Sequence, residues 1–222
     1  VEVMLHSAVI GGLIALGVAP ADATHVIGPI GADFIVVGDR AYGPPDEVDE
    51  QRSVDGSRRL LRVEDVVDGD GVFPLTGDPF DRMAFGTAAT LVGVARHLIE
   101  VTVEYAKERQ QFGQPIGGFQ AVKHHLASAL LAVEFAAPVV YRAAWSLATD
   151  QPTVPRDVSM AKAMAGDAAE QAARVALQVH GAIGYTFESD LHLWMKRVWA
   201  LSPAWGDARW HRRRVADAVI DA

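Results

Sequence analysis

Apolar residues recur at helical spacing after residue 79, whereas proline and glycine break the preceding chain into short pieces. Residues 80–109 contain no proline, and apolar side chains recur there every three or four positions. This periodicity predicts a helix of about 28 residues. The same periodicity predicts four further helices, over 119–149, 156–180, 190–201 and 204–220. Long helices with short connections are typical of an antiparallel bundle.

The first 79 residues carry a different pattern. The longest apolar run, 4–19, is interpreted as a buried helix, because it carries His6 and is shorter than the roughly 20 residues that span a bilayer. The fold class is therefore predicted to be mainly α, with a four-helix-bundle domain over 80–222 and a short β-rich region over 1–79. Strands are predicted where short aliphatic runs lie between turn residues, at 25–27, 33–38, 60–63 and 71–75.

Composition narrows the class of protein. Half of the 222 residues are hydrophobic and 22% are charged, as in ordinary globular domains. The chain has no cysteine, which excludes a disulfide scaffold, a thiolate metal site and a cysteine nucleophile. The net charge is −8 and its acidic excess lies before residue 79, which argues against a nucleic-acid partner. The sequence shows no basic export signal, so we expect a cytoplasmic protein without a membrane partner.

Residues 107–123 carry the first candidate chemistry. They combine a helix end, a cation, several amides and a glycine turn. The guanidinium of Arg109 matches the geometry of pyrophosphate oxygens, and the amides of Gln111 and Gln120 suit ribose or adenine edges. Phe112 is expected to be exposed. The alternative is an amphipathic helix end followed by a Gly-Pro turn, and the residues alone leave both interpretations open.

Residues 176–188 form the second candidate segment. Gly181 and Gly184 are expected to end a long helix and to allow close backbone approach, with Gln178 and His180 offering polar groups. The alternative is a helix C-cap without a binding role. No metal site is predicted, because the adjacent His124 and His125 point in different directions on a helix and cannot chelate one ion together.

Together these segments resemble the acyl-CoA dehydrogenase family. Arg109 to Ala127 matches its pattern Arg-x-Gln-Phe-Gly-x-Pro-Ile-x-x-Phe-Gln-x-Val-x-x-x-Leu-Ala. Gln178 to Tyr185 matches Gln-x-x-Gly-Gly-x-Gly-Tyr, with Ala182 in place of the second glycine. The similarity extends from about Arg58 to the C-terminus, so the bundle resembles the family's C-terminal helical domain.

The resemblance implies an FAD-dependent oxidoreductase. Such enzymes remove two hydrogens across the α,β carbons of an acyl-CoA thioester and pass electrons to an electron-transferring flavoprotein. Arg109 would pair with the pyrophosphate of a neighbouring subunit's FAD, which Gln111 and Phe112 would also touch. A dimer is implied because these contacts cross the subunit boundary. The adenosine end would be held by Gln120 and by the turn containing Gln178, His180, Gly181 and Ala182.

The sequence departs from the family at the catalytic base. An ungapped count from Gln178 puts Trp205 where the family has its glutamate, and Met83 stands at the alternative position on the first long helix. Asp207 and Asp81 lie beside these positions, but each is more simply a helix cap. No catalytic residue is therefore assigned. Residues 1–79 are too short for the family's full N-terminal helical and middle β domains, and are interpreted as a remnant of them.

These features favour a subunit of a bacterial heteromeric acyl-CoA dehydrogenase, acting in fatty acid or steroid catabolism. The chain would lack its own glutamate and would complete the FAD site of a partner, either a second acyl-CoA dehydrogenase subunit or another copy in a homo-oligomer. Two alternatives are a self-sufficient enzyme with a relocated base and a flavin-free structural or interaction protein on the same bundle. The run from Arg212 to Arg214 is interpreted as a solvated helix end.

Overall fold

The computed structural model describes residues 16–19, 25–27, 34–37, 40–43, 50–62, 73–74 and 79–220. The chain divides into two compact units, Val1–Phe80 and Asp81–Ala222. The first unit is a β-sheet in its described part, and the second is a helical bundle. A mainly α fold with a short β-rich N-terminal region, as the sequence predicted, is confirmed.

The described residues of the N-terminal unit form a seven-stranded sheet in the order β5-β6-β2-β1-β3-β4-β7. Strands β1 and β3 run parallel, and every other neighbouring pair is antiparallel. Ile35, Val36 and Val37 of β3 are all buried, so this strand is covered on both faces. The strands are β1 Leu16–Ala19, β2 His25–Ile27, β3 Phe34–Val37, β4 Arg40–Tyr42, β5 Glu50–Arg52, β6 Arg59–Arg62 and β7 Phe73–Pro74.

The predicted strand segments include β2, β3 and β7 in full, and the segment 60–63 overlaps β6, which begins one residue earlier. The helix predicted over 4–19 is wrong at its end, because Leu16–Ala19 forms β1; residues 4–15 lie outside the described residues. A short apolar run suits a helix and a buried strand equally. Pairing with β2 on one side and β3 on the other satisfies the backbone of β1 as a strand.

The C-terminal unit contains five helices, close to the five predicted. Helices α1 to α3 are long, and α4 and α5 are short. The last helix begins four residues later than predicted, because Trp205 and Gly206 have positive φ and cannot belong to it. The helices are α1 Phe80–Glu108, α2 Gln120–Ala148, α3 Val154–His180, α4 Leu191–Leu201 and α5 Ala208–Ile220.

Side-chain contacts give the helix directions in the bundle. Arg96, near the middle of α1, pairs with Glu134, near the middle of α2, at 3.1 Å. Tyr105 stacks on His180, so the C-terminal ends of α1 and α3 lie together. Helices α2 and α3 pack along each other and are joined by only 149–153, which makes them antiparallel. The three long helices therefore run up, down and up.

Helix α3 is the centre of the bundle, since it packs against α2, α4 and α5. Its buried side chains are small, which lets neighbouring helices approach closely. One long side chain, Lys162, is buried among them at 1% exposure. The buried alanines of α3 are Ala161, Ala163, Ala165, Ala168, Ala169, Ala172, Ala173 and Ala176.

Helix α2 leaves much apolar surface exposed. Among the described residues it is the one helix long and apolar enough to cross a bilayer by length and composition. One such helix is weak evidence for a membrane span, because core helices pass the same test. The helix continues through Pro138. Its exposed large apolar side chains are Leu130, Leu131, Phe135, Tyr141 and Trp145.

The arginine run in α5 was predicted to be solvated, and Arg212 and Arg213 are exposed, whereas the side chain of Arg214 is only 29% exposed. Arg212 pairs with Asp167 of α3. Arg214 donates to both carboxylate oxygens of Asp81, at 2.5 and 3.1 Å, and to Ser159. Asp81 therefore lies in the first turn of α1 as an ion-pair partner, not as an N-cap.

Candidate functional site

A tight β-hairpin follows α1 and carries the first candidate segment. Strands β8, Gln110–Gln111, and β9, Gln114–Pro115, pair antiparallel. Phe112 and Gly113 between them have φ of 52° and 81°, and positive φ at both central residues is what a type I′ turn requires. The Ile116 N–H donates to the Arg109 carbonyl at 2.8 Å and closes the hairpin.

The hairpin is fixed against the end of α1. The Arg109 N–H donates to the Tyr105 carbonyl at 2.9 Å, so Arg109 continues the helical hydrogen bonding. Gly117 lies in a 3₁₀ turn, and a Cβ there would come within 3.0 Å of the Ala106 carbonyl oxygen. Only glycine permits this approach without displacing the backbone.

The candidate side chains on and beside this hairpin are exposed. Arg109, Gln111 and Gln120 are exposed, and Phe112 is 92% exposed at the tip. Within the described part of the chain, no carboxylate pairs with Arg109. Its guanidinium donors are therefore available to an anion from outside the chain.

The second candidate segment ends α3 in a 3₁₀ turn, Gly181–Tyr185. Gly181 has φ 61° and ψ −137°, a conformation that an L side chain rarely adopts. A Cβ on Gly184 would lie 3.0 Å from Leu177 and 3.2 Å from His180, so this glycine allows close packing. Gln178 and Ala182 are exposed on either side of the helix end.

His180 differs from the other candidates because its side chain is buried. Its Nδ1 lies 2.8 Å from the Ala176 carbonyl oxygen and donates to it. Its ring stacks on Tyr105 with centroids 4.2 Å apart and planes 15° apart. Burial lowers the pKa of His180, and the bond to Ala176 only partly opposes this, so the ring is neutral at pH 7.

The structure thus brings the two candidate segments together through Tyr105. Its backbone accepts from Arg109, and its ring and hydroxyl contact His180, with the hydroxyl 3.4 Å from the His180 carbonyl oxygen. Sequence reasoning missed Tyr105. Its position on the predicted helix, one turn before Arg109, was the feature that could have identified it as part of the candidate site.

The turn before α5 contains the position of the family's glutamate. Trp205 there is 6% exposed and has φ 59°. Gly206 follows with φ 88°, and a Cβ on it would come within 2.9 Å of His211. Asp207 accepts the Trp210 N–H at 2.7 Å, which makes it the N-cap expected from the sequence.

Lys162 and His211 hold this turn by its carbonyl oxygens. The Lys162 ammonium donates to the carbonyls of Ser202 and Gly206, at 2.8 and 3.0 Å. His211 Nε2 donates to the Trp205 carbonyl at 2.7 Å. Sequence reasoning missed both residues, although a lone lysine in an alanine-rich helix is a usable signal.

Burial dominates the titration of both groups. It lowers the pKa of Lys162 to about 8, against the opposing charges of Asp207 and Glu170. It lowers the pKa of His211 to about 4, outweighing the hydrogen bond to Trp205. Over the residues that the structure describes, no group of three or more potential ligands is placed to hold a metal ion.

The fold and the matched segments define a class of protein. Residues 70–220 match the family described as "Acyl-CoA dehydrogenase, C-terminal domain". The chain therefore belongs to the acyl-CoA dehydrogenase family, whose members are oxidoreductases that generally use FAD.

Particular relatives are known from Mycobacterium tuberculosis. The chain is 35% identical to acyl-CoA dehydrogenase IpdE2 over 189 residues, covering 83% of this chain and 56% of that protein. It is 34% identical to acyl-CoA dehydrogenase FadE34 over 212 residues, covering 93% and 27%. The chain thus spans only about half of the length of IpdE2 and about a quarter of the length of FadE34.

A solved structure from the same organism shares the fold. The crystal structure of the ChsE4-ChsE5 complex superposes with a TM-score of 0.74 at 22% identity, covering 94% of this chain and 63% of that one.

Proposed function

We propose that this chain is a subunit of an FAD-dependent acyl-CoA dehydrogenase that completes a partner's flavin site and lacks its own catalytic glutamate. The proposal rests on the difference between two positions of the helical bundle, one exposed and cationic and the other buried and without a carboxylate. The exposed guanidinium of Arg109 lies at the base of the hydrogen-bonded hairpin. The position of the base holds Trp205, buried in its own chain.

The exposed candidate residues suit an FAD molecule. Arg109 offers paired donors to the pyrophosphate, and Phe112 offers an apolar ring beside it. The amides of Gln111, Gln120 and Gln178 lie exposed for ribose and adenine edges. Gly181 has no side chain and Ala182 has only a methyl group, so a ligand can approach the backbone there. FAD, when bound, supplies the hydride acceptor for the α,β-dehydrogenation that this family performs.

The catalytic base is proposed to come from the partner. Indole is a hydrogen-bond donor only, so Trp205 cannot take a proton from the α carbon. Asp81 is held by Arg214, and Asp207 caps α5, so both neighbouring carboxylates have structural tasks. These contacts favour a chain that completes a partner's flavin site without supplying the base, here called the half-site proposal, over a self-sufficient enzyme with a relocated base.

The proposed partner is a second acyl-CoA dehydrogenase subunit, with a homo-oligomer as the alternative. The similarity in fold to a two-component complex, ChsE4-ChsE5, supports this choice. The exposed apolar side chains of α2 also suit an assembled protein. An acyl-CoA thioester as substrate, and an electron-transferring flavoprotein as acceptor, follow from the family and belong to the whole assembly.

The Arg109→Ala variant tests the flavin assignment. We expect the assembled complex to lose FAD affinity by about tenfold or more, because a charge-assisted contact to phosphate is removed. Arg174→Ala is the matched control, since Arg174 is also exposed and pairs only loosely with Glu170 at 4.0 Å. Flavin content and FAD titration measure the effect. Equal affinity in both variants would contradict the role of Arg109.

A further inference from the structure

Tyr105 is the residue through which the two candidate flavin segments touch. It lies in the last turn of α1, four residues before Arg109. Its carbonyl accepts the Arg109 N–H at 2.9 Å, so the base of the hairpin is bonded directly to it. Movement of Tyr105 therefore moves the guanidinium-bearing hairpin.

The side chain of Tyr105 contacts the other segment. Its ring lies nearly parallel to that of His180, 4.2 Å away, and its hydroxyl donates to the His180 carbonyl at 3.4 Å. The next residue is Gly181, where the chain turns with φ 61°. The stacked rings of Tyr105 and His180 therefore fix the residue directly before the turn at Gly181.

His180 is unsuited to act as a direct flavin ligand. Its side chain is buried, and Nδ1 already donates to Ala176. Its ring face is covered by Tyr105. The His180 ring instead packs against the Tyr105 ring. This contact sets the spacing between Arg109 and the turn at Gly181.

We propose that Tyr105 and His180 are positioning residues that hold the two flavin-binding segments at the spacing that one FAD requires. This inference rests on the proposed function. It also changes the role expected for His180 from a ligand to a support. The stacked ring of Tyr105 couples the hairpin at Arg109 to the turn at Gly181. The 3.4 Å contact of its hydroxyl contributes little to this coupling.

The test compares two substitutions of Tyr105 in the assembled complex. Tyr105→Leu removes the ring, and we expect FAD affinity to fall about five- to tenfold. Tyr105→Phe keeps the ring and removes the hydroxyl, and we expect affinity within about twofold of the unaltered protein. Unchanged affinity in Tyr105→Leu would overturn the inference, as would an equal loss in the phenylalanine variant.

A matched control separates positioning from general loss of packing. Trp194→Leu removes a second ring that packs on a histidine of α1, His97, at 4.3 Å. We expect it to lower the melting temperature comparably and to leave FAD affinity within about twofold. A flavin loss equal to that of Tyr105→Leu would show that any weakening of the bundle releases FAD, and would overturn the inference.

A double-mutant cycle with Arg109→Ala gives the most specific readout. If Tyr105 acts by placing Arg109, removing both should cost less affinity than the sum of the single losses. Additive losses would contradict positioning through Arg109. Failure of the unaltered complex to bind FAD at all would instead refute the proposed function, so the two failures are distinguishable.

Discussion

Buried titratable side chains donate hydrogen bonds to the carbonyl oxygens of the turn before α5. His211 is the most buried of these side chains. It is fully buried, its Nε2 donates to the Trp205 carbonyl, and burial lowers its pKa to about 4. Lys162 and Arg214 add positive charge nearby and oppose its protonation further. The neutral ring is therefore the form that the fold requires.

Acid should destabilise the protein through His211. The unfolded chain takes up this proton near pH 6.5 and the folded chain only near pH 4, so lowering the pH between these values favours unfolding. The contribution lost is about 3 kcal/mol across that window. Urea unfolding at several pH values measures it.

His211→Gln should flatten this pH dependence, because glutamine does not titrate and can still donate to Trp205. The control is His125→Gln, which replaces an exposed histidine and should leave the slope between pH 4 and 6.5 unchanged. If His211→Gln keeps the slope of the unaltered protein, His211 is not the group responsible.

Some site residues could be predicted individually and others could not. The exposed tip residue Phe112 and the cap Asp207 follow from local patterns, and the structure agrees with both. Tyr105 and Lys162 could not be assigned, because the partner of Tyr105 lies 75 positions away and the partners of Lys162 lie 40 and 44 positions away. Local sequence can single out such residues, but it does not show which distant residues they contact.

The junction of α2 and α3 is fixed by one buried carboxylate, Asp157. It accepts hydrogen bonds from Ser146 at 2.5 Å and Thr153 at 2.8 Å, and pairs with Arg142 and Arg156 at 3.1 and 2.9 Å. Burial alone would raise its pKa, but these donors outweigh it and lower the pKa to about 2. The carboxylate is therefore charged throughout the physiological range.

Asp157→Asn should destabilise the bundle by about 2 kcal/mol, because it removes the charge that both arginines and both hydroxyls face. Chemical denaturation at pH 7 measures the change. Asp150→Asn is the control in the same connection, where an exposed residue with φ 47° tolerates asparagine. We expect the control to stay within about 0.5 kcal/mol. Equal effects in the two variants would refute the role assigned to Asp157.

At the level of elements, helices were predictable and strand pairing was not. The buried positions of α1, such as Ala84, Leu91 and Leu98, follow the periodicity read from the sequence. The two-residue strands β8 and β9 are too short to show a period, and only a turn was predicted there. The strand β1 was mistaken for a helix end, because its partners β2 and β3 are set by tertiary pairing.

At the scale of the whole molecule, we propose that the chain works within a larger assembly. Helix α2 exposes large apolar side chains, including Phe135 and Trp145. Large apolar side chains grouped on one exposed helix are typical of protein interfaces. This exposure supports the proposal that α2 meets a partner subunit.

The measurement that tests this account most directly is a visible absorption spectrum of the chain purified alone and with its co-purifying partner. We predict that the chain alone lacks a flavin band, and that the complex with a glutamate-bearing partner carries FAD and dehydrogenates an acyl-CoA. A chain that alone binds FAD and oxidises acyl-CoA would contradict the half-site proposal. A complex that remains colourless would contradict the flavin assignment itself.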